Sequence, residues 1–208
     1  MTDQSVNKCQ RRPEDRPAEI LAAALDLFAE KGFSATRMED VAKRAGISKG
    51  AVYLYFTDKT ALLRAIVETT IARELQAVGA RAESEPGPVS PIITAAATQI
   101  ARRLTETRLP EILKLIIAES GAHPELAQLY FDTTISVALP LFEGLIRRGI
   151  ESQEFRPADP AYTARSLAGG FLLAALWRGV FEPIGKPPLD IAGFAQHHIT
   201  LILRGLAP

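Results

Sequence analysis

The chain has 208 residues, 24 lysines and arginines against 24 aspartates and glutamates, and 47% hydrophobic side chains. That length allows one or two domains and excludes a large multidomain enzyme, and the composition belongs to a folded rather than a disordered protein. A single cysteine, Cys9, makes no internal disulfide and points to a reducing compartment such as the cytoplasm, and three histidines leave little for a metal site.

Strand signals are almost absent and apolar residues recur at three and four, so the chain reads as all-α with about nine helices. Residues 1–16, with Cys9, Arg11 and Arg12, read as a flexible polar tail lacking the apolar stretch of a secretion signal. A first helix is predicted from about Pro17 to Lys31. Its apolar face is Ile20, Ala23, Ala24, Leu27 and Phe28, and Gly32 closes it as a left-handed cap. A second helix, Thr36–Ala45, is predicted to open with a capping box formed by Thr36 and Glu39. Ser48 then reads as the N-cap of a third helix reaching Tyr55 or Phe56. Thr57-Asp58 caps a fourth, in which Leu63, Val67, Ile71, Leu75 and Val78 step towards Ala80. Pro86, Gly87, Pro88 and Pro91 make residues 83–91 a connection. Further helices are predicted at about Ile92–Thr107, Glu111–Glu119, Glu125–Arg148, Ala161–Val180 and Leu189–Leu206.

The two short helices joined through Gly46-Ile47 have the pattern of a helix-turn-helix, whose second helix enters the major groove of DNA. Leu27, Phe28, Val41, Ile47 and Val52 would form the small core behind it. Residues 1–60 hold ten basic and nine acidic side chains, so charge neither supports nor excludes a nucleic-acid partner, and motif and position decide. From Pro17 to Ala65 the chain resembles the tetracycline-repressor (TetR/AcrR) family of bacterial transcription regulators. The resemblance rests on the run from Ala24 to Phe33, on Thr36 with Val41-Ala42, and on Ala45-Gly46-Ile47-Ser48-Lys49-Gly50. It continues through Tyr53-Leu54-Tyr55-Phe56 to Lys59 and Leu62. It implies an N-terminal three-helix helix-turn-helix DNA-binding domain over 17–62 and a C-terminal helical ligand-binding and dimerisation domain over 63–208.

Carried over residue by residue, the resemblance implies DNA contacts from Thr36, Arg37, Ser48, Lys49, Gly50 and Ala51, and from Tyr53, Tyr55 and Lys59. Thr36 sits at a helix start, where its hydroxyl either caps the helix or meets a phosphate. Lys49 opens the recognition helix, and Gly50 and Ala51 let its backbone approach the duplex, Ala51 being suited to a thymine methyl. Tyr53 and Lys59 match phosphate-contacting positions of the family, and Tyr55 a position facing the groove. Arg37, Lys43 and Arg44 are further candidates for backbone contacts.

In the C-terminal half, the longest charge-free apolar run, Ser166 to Trp177, is 12 residues, against about 20 needed to span a bilayer, so no membrane partner is expected. The helix at 161–180 has one stripe of Ala164, Ala168, Phe171 and Ala175 and another of Gly169, Leu172, Leu176 and Val180. The helix at 189–206 carries Phe194, Ile199 and Ile202. The resemblance implies that this pair forms a four-helix homodimer interface, for which Ala164, Ala168, Phe171, Ala175, Phe194, Ile199 and Ile202 are the candidates. Phe131, Phe142, Phe171 and Trp177 are candidate walls of a ligand pocket. Pro140 frees the Ser136 carbonyl, a possible ligand acceptor, and Glu119 lies on an apolar face beside a helix end that disfavours its charge.

The reading is a cytoplasmic, ligand-responsive regulator, a repressor released from a palindromic double-stranded DNA operator by a small-molecule inducer through a shift of the fourth helix. A transcriptional activator, or an adaptor for a protein partner on the same fold, is the alternative. The chain lacks the Gly-x-Ser-x-Gly elbow, the phosphate loop, the His-Glu-x-x-His pair and the dinucleotide fingerprint, so no enzyme, catalytic residue, metal or cofactor is expected.

Overall fold

The computed structural model describes residues 16–208, with the backbone alone for 71–74. The predicted tail with Cys9, Arg11 and Arg12 lies outside the described residues. These residues hold no strand and form nine continuous helical runs. They begin with α1 (Arg16–Ala35), α2 (Met38–Arg44) and α3 (Lys49–Tyr53). The fourth run is α4 (Lys59–Val67), a π turn Glu68–Ala72, and α5 (Arg73–Ser84). Then come α6 (Ser90–Glu106) and α7 (Leu109–Glu119). The seventh run joins α8 (Pro124–Tyr130) through a second π turn, Phe131–Ile135, to α9 (Ser136–Glu151). The last two are α10 (Pro160–Leu176), which ends in a third π turn, Trp177–Phe181, and a short 3₁₀ turn, and α11 (Ile191–Leu206). The chain divides into two compact units, Met1–Leu63 and Arg64–Pro208, so the boundary falls inside α4.

The first unit is built on the predicted apolar face of α1. Ile20, Ala24, Leu27 and Phe28 are buried together with Val41, Ala42, Val52, Leu62 and Leu63. Each large side chain removed from water in this way contributes about 1.5–3 kcal/mol. Ile47 is only partly buried, so Phe33 and Met38 complete this core instead. Gly32 breaks α1 as expected, but not as a left-handed helical cap. Its φ of 82° comes with a ψ of 168°, an extended combination open to glycine alone, and one more turn follows to Ala35.

The second unit packs α6, α9, α10 and α11 around Ile92, Ile93, Leu104, Phe142, Leu145, Ile146, Leu167, Phe171 and Ile199. The entry to α6 is clamped from α9 and the turn after it. Arg148 donates to the carbonyls of Ala82, Glu85 and Gly87 at 2.6, 3.1 and 3.2 Å. Glu154 accepts from the backbone N–H groups of Val89 and Ser90 at 2.6 and 2.8 Å. Two continuous runs, Pro124–Glu151 and Pro160–Ile184, are long and apolar enough to cross a membrane by length and composition. The 12-residue charge-free run understated them, because a span tolerates isolated charges. Their inner faces nevertheless supply Leu126, Leu145, Ile146, Leu167, Phe171 and Ala174 to the interior of the unit, as core helices do.

Candidate nucleic-acid interface and ligand cavity

The turn between α2 and α3 follows from Gly46, whose φ of +67° reverses the chain where a β-carbon would be strained. Ser48 caps α3 as the sequence implies, its hydroxyl accepting from Ala51 N–H at 3.2 Å. The helix is shorter than predicted and ends at Tyr53; the Tyr55 and Phe56 amides both return to the Val52 carbonyl at 3.0 Å. Val52 is fully buried and fixes the rotation of α3. Ser48, Lys49 and Gly50 are left exposed, Ala51 is partly exposed, and Tyr53 and Tyr55 are each 44% exposed.

Three basic groups here are held by acids. Lys49 pairs with Glu39 across the turn and lies 5.8 Å from the centre of the Tyr53 ring. The bond to Lys49 holds the Glu39 carboxyl below the usual carboxylate range, and the same bond raises Lys49. Arg44 makes a two-pronged pair with Glu30 at 2.8 and 2.7 Å, and Lys31 meets Asp40 at 2.6 Å. Both bonds tie α2 to α1. Arg37 and Lys43 are exposed and form no ion pair among the described residues. Lys59 donates to the carbonyls of Phe33 and Ser34 at 2.9 and 3.2 Å, at the end of α1.

The predicted capping box does not form. Arg37, not Thr36, occupies the N-cap of α2, and no side chain caps it. Thr36 is 2% exposed, and its hydroxyl donates to the carbonyls of Gly32 (2.8 Å) and Leu27 (3.3 Å). In this way Thr36 ties the turn after the Gly32 break back to α1. Its side chain is thereby withdrawn from any phosphate.

Within the second unit lies a mostly apolar cavity of about 360 Å³, a size typical of small-ligand sites. Its apolar wall includes Leu104, Leu113, Leu139, Phe142, Leu167 and Phe171, and its polar lining is Thr70, Arg103, Tyr130, Thr134 and Arg165. Exposed Ala168, Gly169 and Leu172 mark where it reaches the surface. Burial pushes the Tyr130 phenol up to about 12, which keeps it a neutral hydroxyl. A groove of about 410 Å³ between α6 and α11 has a more polar lining, which includes Thr98, Arg102, Thr105, Glu106 and Gln196.

Of the predicted pocket residues, Phe142 and Phe171 line this cavity, whereas Glu119, Phe131, Ser136 and Trp177 do not. Around the π turn Phe131–Ile135, Phe131 (52% exposed) and Ser136 lie outward while Tyr130, Thr134 and Ala138 line the cavity. The Ser136 hydroxyl donates to Asp132 O at 2.8 Å on that outer side, where Pro140 also lies. Glu119 ends α7, and its carbonyl accepts from Ala122 and His123. Trp177 donates through Nε1 to Pro187 O at 2.9 Å. Thr70 and Thr134 escaped the sequence reading because they stand in π turns, which leave no mark in a pattern of threes and fours; Tyr130, beside the second turn, was missed with them.

The proposed dimer stripe also needs correction. Ala164, Phe171, Ala175 and Ile199 are all at most 6% exposed within their own unit, and Ala168 lines the cavity mouth. Phe194 stacks on His198, whose Nε2 donates to Leu167 O at 3.0 Å, and Ile202 packs on the same core. Of the second stripe, Gly169 and Leu172 lie at the cavity mouth and Leu176 and Val180 are partly buried. The open apolar side chains are instead Tyr162 and Leu173 on α10, 73% and 51% exposed, and Leu201 on α11, 56% exposed. The apolar excess of α10 misled because both of its stripes suit burial, and only packing shows which is already filled.

A short helix capped by Ser48 and projecting Lys49 and Tyr53, joined in one chain to a helical unit with an apolar cavity, defines a helix-turn-helix regulator of transcription. Comparisons with known proteins agree. Residues 20–66 match the description "Bacterial regulatory proteins, tetR family", and residues 91–204 match "AefR-like transcriptional repressor, C-terminal domain". The HTH-type transcriptional regulator YfiR of Bacillus subtilis is 30% identical over 189 residues, 88% of each chain. Among solved structures, FadR of Bacillus halodurans, a fatty acid degradation regulator, superposes with a TM-score of 0.77 at 20% identity, covering 95% of this chain and 98% of that one. SmeT, the repressor of a Stenotrophomonas maltophilia multidrug efflux pump, gives 0.72 at 25% identity over 96% and 92%. The chain belongs to the TetR family of bacterial regulatory proteins and is a DNA-binding transcriptional regulator.

Proposed function

We propose that the chain works in the cytoplasm as a homodimeric repressor that leaves a palindromic operator when a small molecule fills the cavity of its second unit. Two copies of α3 would read half-sites about one helical turn apart, roughly 34–36 Å. Lys49, Gly50, Ala51, Tyr53 and Tyr55 would face the groove and its rims, with Ser48, Arg37 and Lys59 at phosphates. The dimer would close through the open apolar side chains Tyr162, Leu173 and Leu201.

The observation that carries this reading is the place of Thr70. It lies in the π turn of the helical run that begins at Lys59, and it lines the cavity. A ligand that prefers a different register of this turn would move the lever leading to the helix-turn-helix. Linkage requires that ligand to bind the DNA-incompetent state more tightly, and a coupling of about 1–3 kcal/mol changes operator affinity roughly 5–150-fold. The similarity to SmeT, which has been solved with triclosan, supports a small apolar inducer. Fluorescence anisotropy with DNA from the region upstream of the protein's own gene tests the proposal, by release of the DNA as apolar compounds are added. Operator affinity that no cavity ligand changes would contradict it.

A further inference from the structure

Thr134 departs from the bonding that eight other threonines of the described helices share. Thr69, Thr70, Thr94, Thr98, Thr105, Thr133, Thr163 and Thr200 each turn the hydroxyl back to the carbonyl four residues before. Thr134 does not. Its residue is 6% exposed, and its Oγ1 is buried without a hydrogen-bond partner among the described residues. It stands in the π turn Phe131–Ile135 and lines the cavity, one helical turn from Tyr130. A buried hydroxyl left unpaired is unfavourable, and π turns inside α-helices concentrate at functional sites.

The rest of the lining decides what meets it. Among the described side chains around the cavity there is no aspartate, glutamate or histidine, so a cationic ligand would lose its hydration without a counter-charge. An anion is served little better. Arg165 already shares Nη1 between Glu143 Oε1 (3.0 Å) and Ala161 O (2.9 Å), and Arg103 is itself engaged. Thr70 turns its own hydroxyl back to Ile66 O at 2.6 Å, so the neutral Tyr130 phenol, one helical turn from Thr134, is the other uncharged polar group of the lining. We propose that the cavity selects an uncharged, largely apolar molecule carrying a hydroxyl or carbonyl oxygen, and that Thr134 Oγ1 is the group that meets that oxygen. This rests on the reading of the cavity as the effector site.

The test uses three ten-carbon chains that differ only in the head group at pH 7: 1-decanol, decanoate and decylammonium. Binding to the full-length protein is followed by titration calorimetry for wild type, Thr134→Val and Thr134→Ser. 1-Decanol should bind at least about tenfold more tightly than decylammonium and more tightly than decanoate. Thr134→Val should weaken 1-decanol roughly three- to tenfold, the loss of one hydrogen bond, and Thr134→Ser should restore it. The valine variant is relieved of a buried unpaired hydroxyl and should melt no lower than wild type, which separates lost binding from lost folding. Either charged chain binding as tightly as 1-decanol, no binding by any chain, or an unchanged Thr134→Val affinity would overturn the proposal. Operator binding by the same protein separates the two levels. Its retention beside the wrong head-group preference strikes only the ligand class, whereas its absence beside the right preference strikes the repressor reading and supports the cavity chemistry.

Discussion

The ammonium of Lys59 lies 4.4 Å from the centre of the Phe33 ring and donates to the carbonyl of the same residue at 2.9 Å. The first turn of α4 is thereby pinned to the carbonyl-rich end of α1, where a positive charge is favourable. Lys59 therefore has a scaffolding role beside any phosphate it meets. Lys59→Ala should lower stability by about 1 kcal/mol. It should also weaken binding to all DNA sequences and flatten the salt dependence by about one unit. Chemical denaturation and DNA titrations over a range of salt check the two effects. A stability loss with an unchanged slope would confine Lys59 to the scaffold.

Glu39 restrains Lys49 at the start of the recognition helix and places a carboxylate beside it. Glu39→Gln should free the lysine and tighten binding to random and operator DNA alike, about two- to fivefold at low salt, with a steeper salt slope. The wild-type protein should show the same direction on acidification. The Glu39 pKa is lowered by the bond to Lys49, so the pair persists at neutral pH and is lost only as pH falls below the ordinary carboxylate range. Random-sequence DNA binding unaltered in Glu39→Gln would show that the pair does not compete with phosphate.

The open apolar side chains of α10 give a contrast between two glutamate substitutions. Leu173 is 51% exposed and Ala164 is 1% exposed. Leu173→Glu should keep the helical content and raise the dimer dissociation constant at least about tenfold, seen by sedimentation, because a charge would be buried only in the pair. Ala164→Glu should instead lose the cooperative unfolding transition itself. A dimeric Leu173→Glu would move the interface elsewhere.

Glu154 is predicted to make part of the stability depend on pH. Burial pushes its carboxyl up, but the bonds from Ser90 and Val89 and the nearby Arg148 outweigh this, so its pKa lies below the ordinary 4.5. The stabilisation is therefore present above that ordinary value and is lost as pH falls through the lower folded one. Glu154→Gln should cost roughly 1 kcal/mol at pH 7, a figure already reduced for partial exposure, and the difference from wild type should shrink in acid. Urea denaturation at several pH values measures it.

What was legible in the sequence and what was not divides along physical lines. The Ser48 cap, the Gly46 turn and the buried faces of α1 and α2 depend on residues a few positions apart, and these could be read from the chain. Thr36 was misread because its hydroxyl turns back to the carbonyls of Leu27 and Gly32, a geometry set by the break in α1 and absent from the local capping pattern. Thr134 was missed because it stands inside a π turn, whose single inserted residue shifts the helical repeat by about 100°. Phe131 was misplaced and Tyr130 missed because an aromatic pair side by side does not say which of the two faces the interior. The stripe of Ala164 and Ala175 looked like an interface until packing against the unit's own core filled it. Lys59 carried the right location, but its bonds to Phe33 and Ser34 span 26 and 25 residues.

The central claim is that α3 reads DNA through Lys49 and Tyr53. The most direct measurement is a gel shift with DNA from upstream of the protein's own gene, comparing wild type with a Lys49→Ala, Tyr53→Ala double variant. Both side chains are exposed, so the variant should fold normally. The account predicts a specific shift by wild type that resists competition from random DNA and is lost in the variant. Wild type and variant shifting a proven operator with equal affinity would contradict it.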